Sequence, residues 1–116
     1  MKMYQVLFHL SDGESGHIRA VFGNVNALLD DLGEDRVEVE VVIHGTAIRM
    51  LQKDISPHLE SIRQLGKRGV RFAACANALK NQNLQPQDVT AEAQVVSSAM
   101  GELVRRQAEG WVYIHP

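Results

Sequence analysis

Cys75 is the chain's only cysteine and its most distinctive chemical group. It lies in the stretch Gly69-Val70-Arg71-Phe72-Ala73-Ala74-Cys75-Ala76-Asn77-Ala78-Leu79-Lys80. This reads as a short apolar strand, Val70–Ala74, stopping on the thiol, with a helix running from Cys75 or Ala76 to about Asn81. A thiol so placed lies at the C-terminal edge of a sheet, where open α/β folds bind their ligands. It also lies at the positive end of a helix, which favours the thiolate, the nucleophilic form. A lone thiol excludes an internal disulfide, a two-cysteine redox motif and a cysteine zinc cluster, and it fits a reducing cytosol. What remains is single-thiol chemistry, or the bland role of a small buried hydrophobe.

His44 ends a second apolar run and lies at the same sheet edge, so it is the candidate partner of the thiolate. It would act as a stabilising imidazolium or as a proton shuttle; the alternative is a loop histidine bonded to backbone beside Gly45. Asn77, two residues past the thiol, either hydrogen-bonds near it or caps the helix. Arg71 and Lys80 are close in sequence, with directions that sequence leaves open. His9, His17, His58 and His115 show no metal-ligand spacing and no clustered carboxylate, so structural or surface roles are expected, with no metal and no cofactor. The Asp12–Gly16 loop has two glycines before a helix, but it matches no phosphate-binding fingerprint and its carboxylates repel anions. A turn that caps the helix is the reading there. Glu38 and Glu40 alternate on a strand as a solvated face, and Trp111 and Tyr113 pack or line a subunit contact.

The elements that must position these residues follow from periodicity. Residues 3–10 form a continuous apolar run, the mark of a strand buried on both faces. Ile18, Val21, Phe22, Val25, Leu28, Leu29 and Leu32 fall on one helical face, stopped by Gly33. Val37–Ile43 alternates and then turns wholly apolar, a second strand. Thr46 is placed to cap a short helix bearing Ala47, Ile48 and Leu51. Ser56-Pro57 starts the next helix, with Leu59, Ile62 and Leu65 inward. After the Cys75 stretch and a polar loop at Asn81–Asp88, Gln94–Ser97 reads as a fourth strand, followed by a helix with Ala99, Met100, Leu103, Val104 and Ala108. One long helix from Thr90 to Glu109 is the alternative. Trp111–Ile114 closes the chain as a fifth strand. Such alternation implies a three-layer α/β/α fold with a mostly parallel five-stranded sheet and a flavodoxin- or Rossmann-like outline.

At 116 residues and 12.9 kDa, residues 1–116 are expected to form one domain. A net charge of −2 without any Lys/Arg block argues against nucleic-acid binding. No apolar run approaches the roughly 18 residues of a spanning helix, and Met1-Lys2-Met3-Tyr4 lacks the pattern of a leader. A cytoplasmic protein is expected, one that self-associates through its Ala/Met-bearing helices and aromatic C-terminal strand.

Three segments, Val42-Ile43-His44-Gly45-x-Ala47, Gly69-Val70-Arg71-Phe72-x-x-Cys75-x-Asn77 and Gln107-x-x-Gly110-x-x-Tyr113-Ile114, resemble the DsrE/DsrF-like family. These are small cytosolic proteins associated with intracellular sulfur oxidation and sulfur relay. The likeness spans nearly the whole chain in order and spacing, and the ending is closest to the family's less characterised branch. It implies a five-stranded α/β/α domain that assembles into trimers or hexamers. In the sulfur-relay members, the cysteine matching Cys75 carries sulfur as a persulfide, received from a donor protein and passed to an acceptor. One cysteine suffices for that role, since a second would discharge the persulfide as a disulfide. The competing expectations are an α/β module that binds a small molecule or anion, and a structural oligomer with an inert cysteine. Whether there is catalytic turnover is open, a carrier being favoured over an enzyme.

Overall fold

The computed structural model describes residues 3–116; Met1 and Lys2, part of the stretch read above as lacking a leader, lie outside the described residues. The elements alternate as β1 (Tyr4–Leu10), α1 (Ser15–Leu32), β2 (Val37–Ile43), a 3-10 helix (Gly45–Leu51), α2 (Leu59–Lys67), β3 (Arg71–Cys75), α3 (Ala76–Asn81), a short 3-10 turn (Pro86–Asp88), β4 (Ala93–Val96), α4 (Ala99–Ala108) and β5 (Val112–Ile114). Among the described residues they build one five-stranded sheet in the order β4-β3-β2-β1-β5, and each neighbouring pair is parallel. The expected three-layer α/β fold is therefore observed. β1 is a nearly continuous apolar run, and β2 alternates before turning wholly apolar, because the sheet is covered on both faces. Phe8, Phe72, Leu7 and Ile43 are among the largest fully buried side chains.

The topology distributes the helices unevenly. The chain steps from β1 to β4 in one direction, then returns across β3, β2 and β1 to reach β5. Right-handed crossovers place α1 and α2 on one face and the returning α4 on the other, and α4 contacts β1, β2 and β3. Leu7, Glu40, Arg71 and Tyr113 lie in register, and two residues further along come His9, Val42 and Ala73. Two more steps along β3 reach Cys75, paired with Val96 of β4. Because strand side chains alternate in direction, these residues share the face beneath α4.

One alternative is decided as expected, and several local expectations change. Residues 93–96 form a strand rather than the interior of a long helix, because Ala93–Val96 pairs with Phe72–Cys75. The Ser56 hydroxyl accepts the His58 N–H at 3.1 Å in a tight turn, so α2 begins at Leu59 instead of Pro57. Thr46 lies inside the 3-10 helix, and its hydroxyl accepts the Gly13 N–H at 2.9 Å, stitching two loops together instead of capping. Asn77 is not a cap either, since the Cys75 backbone occupies that position for α3. Met100 and Val104 point outward from α4 while Ala99 and Leu103 face the sheet. Glu40 is no part of a solvated face. It is 4% exposed, because its alternation turns it toward α4, where Arg106 meets it at 2.9 Å.

Candidate functional site

Beyond the C-terminal ends of β2 and β3 opens a cavity of about 310 Å³, with His44, Gly45, Cys75, Asn77, Gln82 and Met100 among its lining residues. The three site residues picked out from sequence, Cys75, His44 and Asn77, thus line one cavity. Cys75 is the last residue of β3 and only 6% exposed. Its backbone opens α3, but its side chain turns toward the other helix layer. There Sγ accepts the Ala99 backbone N–H of α4 at 3.4 Å. The helix end that addresses the sulfur is therefore that of α4, delivered by the long return crossover, and not that of the adjoining α3. Ser98 caps α4 by accepting the Gly101 N–H at 2.9 Å, which leaves the first-turn Ala99 N–H for the sulfur. Arg71 lies at the opposite end of β3 and Lys80 is exposed on α3.

Gly45 shapes the wall between His44 and the 3-10 helix. Its φ is +59°, and a Cβ there would lie 2.7 Å from the Ser11 carbonyl oxygen. Only glycine takes that turn without strain. Its carbonyl accepts the Gln82 side-chain amide at 2.7 Å, tying α3's C-terminal end to the end of β2.

His44 belongs to a second group that the sequence did not suggest. Its Nε2 is 2.6 Å from His9 Nε2, and His9 Nδ1 is 2.6 Å from the Tyr113 hydroxyl. The His9 and His115 rings stack at 4.3 Å. Burial, reinforced by the neighbouring His115 and His44, lowers the His9 pKa to about 4. Burial and then His115 also hold His44 below the ordinary imidazole value. Both rings are therefore neutral at neutral pH, each with one N–H and one lone pair. His9 and His115, expected to be structural or surface residues, join the site because β1 lies between β2 and β5. The available signal was that His9 and His44 each fall at the end of an apolar strand, and hence at one edge of a parallel sheet.

At the other end of the same face the polar residues are closed in. Arg106 Nε lies 2.9 Å from Glu40 and 3.2 Å from Glu102, and Arg71 pairs with Glu38 at 3.1 Å. The guanidinium groups of Arg106 and Arg71 lie 4.7 and 5.6 Å from the buried Trp111 ring centroid. Burial, and then Glu102, push Glu40 up to about 7. Burial acts to raise Glu102 as well, but hydrogen bonding to Glu40 and Arg105 and the Arg106 charge bring it below its usual value. Of the two carboxyl groups, Glu40 is thus the one that keeps a proton toward neutral pH. On the opposite face, buried His58 meets the Ser15 hydroxyl at 3.2 Å and packs edge-on against Phe22, a satisfied core histidine. Glu14 caps α1 by accepting the Gly16 and His17 N–H groups, which fills that helix end with a carboxylate.

Among the described residues, no group of three or more His, Cys, Asp or Glu is arranged to hold a metal ion. No helix among them is long and apolar enough to cross a membrane.

Comparison with curated proteins finds no match. Among solved structures, the chain is similar to MTH1491 from Methanobacterium thermoautotrophicum, a protein of unknown function, with 36% identity over 97% of this chain and 99% of that one and a TM-score of 0.92. The ychN protein from E. coli covers 100% of both chains at a TM-score of 0.79, but at 9% identity it speaks to the fold alone. The model of the DsrE/DsrF-like family, a family generally associated with sulfur relay, matches residues 5–116, and the chain belongs to that family.

Proposed function

We propose that the protein is an intracellular sulfur-relay protein that carries sulfur as a persulfide on Cys75. The observation that carries this is the sulfur's setting: it lines a cavity with His44 and Asn77 and receives the Ala99 N–H. That N–H is placed to hydrogen-bond an anionic sulfur, and charge-assisted hydrogen bonds are the strong ones. In the loading step the Cys75 thiol gives its proton to His44 and its sulfur attacks the outer sulfur of a donor persulfide. One S–S bond forms at Cys75 as the donor's breaks, and the donor leaves as a thiolate that takes up a proton from water. Unloading is the mirror image: an acceptor thiolate attacks the outer sulfur and Cys75 leaves as thiolate. Neither step changes the total oxidation state, so no cofactor is called for. Asn77 offers an amide hydrogen bond to the outer sulfur from the cavity wall.

In this reading residues 1–116 are one DsrE-like domain acting as a carrier rather than a turnover enzyme. It works in the cytoplasm with donor and acceptor proteins, and without nucleic acid or membrane. It assembles as a trimer or hexamer, for which exposed Met100 and Val104 on the outer side of α4 provide apolar surface beside the cavity. Intact-mass spectrometry after incubation with a persulfide donor tests the proposal. The folded protein gains one sulfur atom and Cys75→Ser gains none; a folded protein that stays unmodified contradicts it.

The cavity's volume supports a second reading, because about 310 Å³ is at the lower end of the range for small-molecule sites. If the site serves as a binding module, a cofactor panel raises the melting temperature equally in wild type and Cys75→Ser.

A further inference from the structure

We infer that His44, His9 and Tyr113 form a proton conduit from the sulfur cavity to the protein surface. This rests on the carrier reading of Cys75 and assigns the route by which that site exchanges its proton. The geometry is a continuous chain. His44 lines the cavity, its Nε2 is 2.6 Å from His9 Nε2, and His9 Nδ1 is 2.6 Å from the Tyr113 hydroxyl. Tyr113, on the edge strand β5, is 39% exposed, so the far end of the chain reaches solvent. With Nε2 committed to His9, the nitrogen of His44 left to meet the cavity is Nδ1, which makes no hydrogen bond among the described residues.

Two neutral arrangements satisfy the chain. In one, His44 holds its proton on Nε2 and donates to His9, His9 holds its own on Nδ1 and donates to the tyrosine oxygen, and the phenol hydrogen points to water. His44 Nδ1 is then a free base. In the other, His44 holds its proton on Nδ1, and every hydrogen bond runs the opposite way. When Nδ1 takes the thiol proton, the Nε2 proton moves to His9, the His9 Nδ1 proton moves to the tyrosine, and the phenol proton leaves to water. One proton enters, one leaves, and neither ring stays charged. The low His9 pKa fits this, because a ring that resists a net charge relays protons by exchanging tautomers. His115, stacked on His9 at 4.3 Å, is the neighbouring titratable group that opposes charge there.

Tyr113→Phe tests the conduit without emptying the chain of its rings. Without the phenol, His9 Nδ1 loses its partner in the protein, which favours His9 with its proton on Nε2 and His44 with its proton on Nδ1. In nitrogen-15 NMR of the imidazoles, wild-type His44 Nδ1 shows an averaged shift, and in Tyr113→Phe it moves toward the protonated position. The rate of Cys75 alkylation by iodoacetamide near neutral pH falls roughly tenfold, as expected for loss of a proton acceptor. His9→Gln, which breaks the chain one step nearer the cavity, slows alkylation similarly. A His44 signal and an alkylation profile that ignore both substitutions overturn the conduit. Neither readout uses a sulfur donor, so this failure is distinct from absence of the mass gain at Cys75.

Discussion

Beneath α4, the two ends of one sheet face handle buried polar groups in opposite ways. At the N-terminal end, Arg106 bridges Glu40 and Glu102 and lies over the Trp111 ring, so both carboxyl groups face a cation inside the protein. At the C-terminal end, Cys75 and His44 border a cavity and keep hydrogen-bonding capacity that the protein itself does not use. The same helix serves both ends: its last turn supplies Arg106 to the closed cluster, and its first turn supplies the Ala99 N–H to the sulfur. The difference teaches where substitutions should be felt. Removing a partner at the closed end costs stability, whereas removing one at the open end costs reactivity and little else.

The largest expected effect is at the open end. Cys75→Ser loses sulfur uptake entirely, while its urea midpoint stays close to wild type. At the closed end, Arg106→Met leaves Glu40 without its cation and Glu102 with Arg105 alone. It is expected to lower the unfolding free energy by ~3 kcal/mol in urea titration, the scale of breaking a buried ion pair, while a folded sample still takes up sulfur. If Arg106→Met abolished uptake in folded protein, the division between the two ends would fail. Between these lies Gly45→Ala, which forces a side chain into a left-handed backbone and against the Ser11 carbonyl. The strain alone is about 1–2 kcal/mol, and displacement of the neighbouring His44 also slows Cys75 alkylation.

The last effects are in pH dependence, and there the two ends have opposite signs. Glu40 rises from 4.5 to about 7 on folding, so the folded protein holds a proton that the unfolded chain has released. Its contribution to stability is complete below 4.5 and is lost as pH climbs through 7. His9 falls from 6.5 to about 4, so the unfolded chain protonates first. Its contribution is complete above 6.5 and is lost as pH drops toward 4. Urea titrations across pH should show Glu40→Gln removing the loss on the neutral side and His9→Gln the loss on the acid side.

What the sequence made legible was what adjacency determines. The junction of β3, Cys75 and α3 is continuous in the chain, and apolar runs broken by Gly33, Gly66 and Gly69 mark out the alternation. What depends on strand order was hidden. His9 meets His44 and Tyr113 because β1 lies between β2 and β5, and neither neighbour is near His9 in sequence. The donor to Cys75 comes from Ala99 by the return crossover, which local periodicity cannot foresee. Glu40 was misread because alternation tells that one face is polar but not what covers it. Glu102 and Arg106, one helical turn apart on α4, were the hint that a charged stripe would meet it.

The relay account is tested most directly by following one sulfur atom through Cys75. Protein loaded by a donor carrying isotopically labelled sulfane sulfur is separated and then given an acceptor thiol, with intact mass read before and after. The account predicts that the loaded mass returns to that of the free protein and that the label appears as a persulfide on the acceptor. Label that stays on the protein, or that never reaches Cys75 in the folded state, would contradict it.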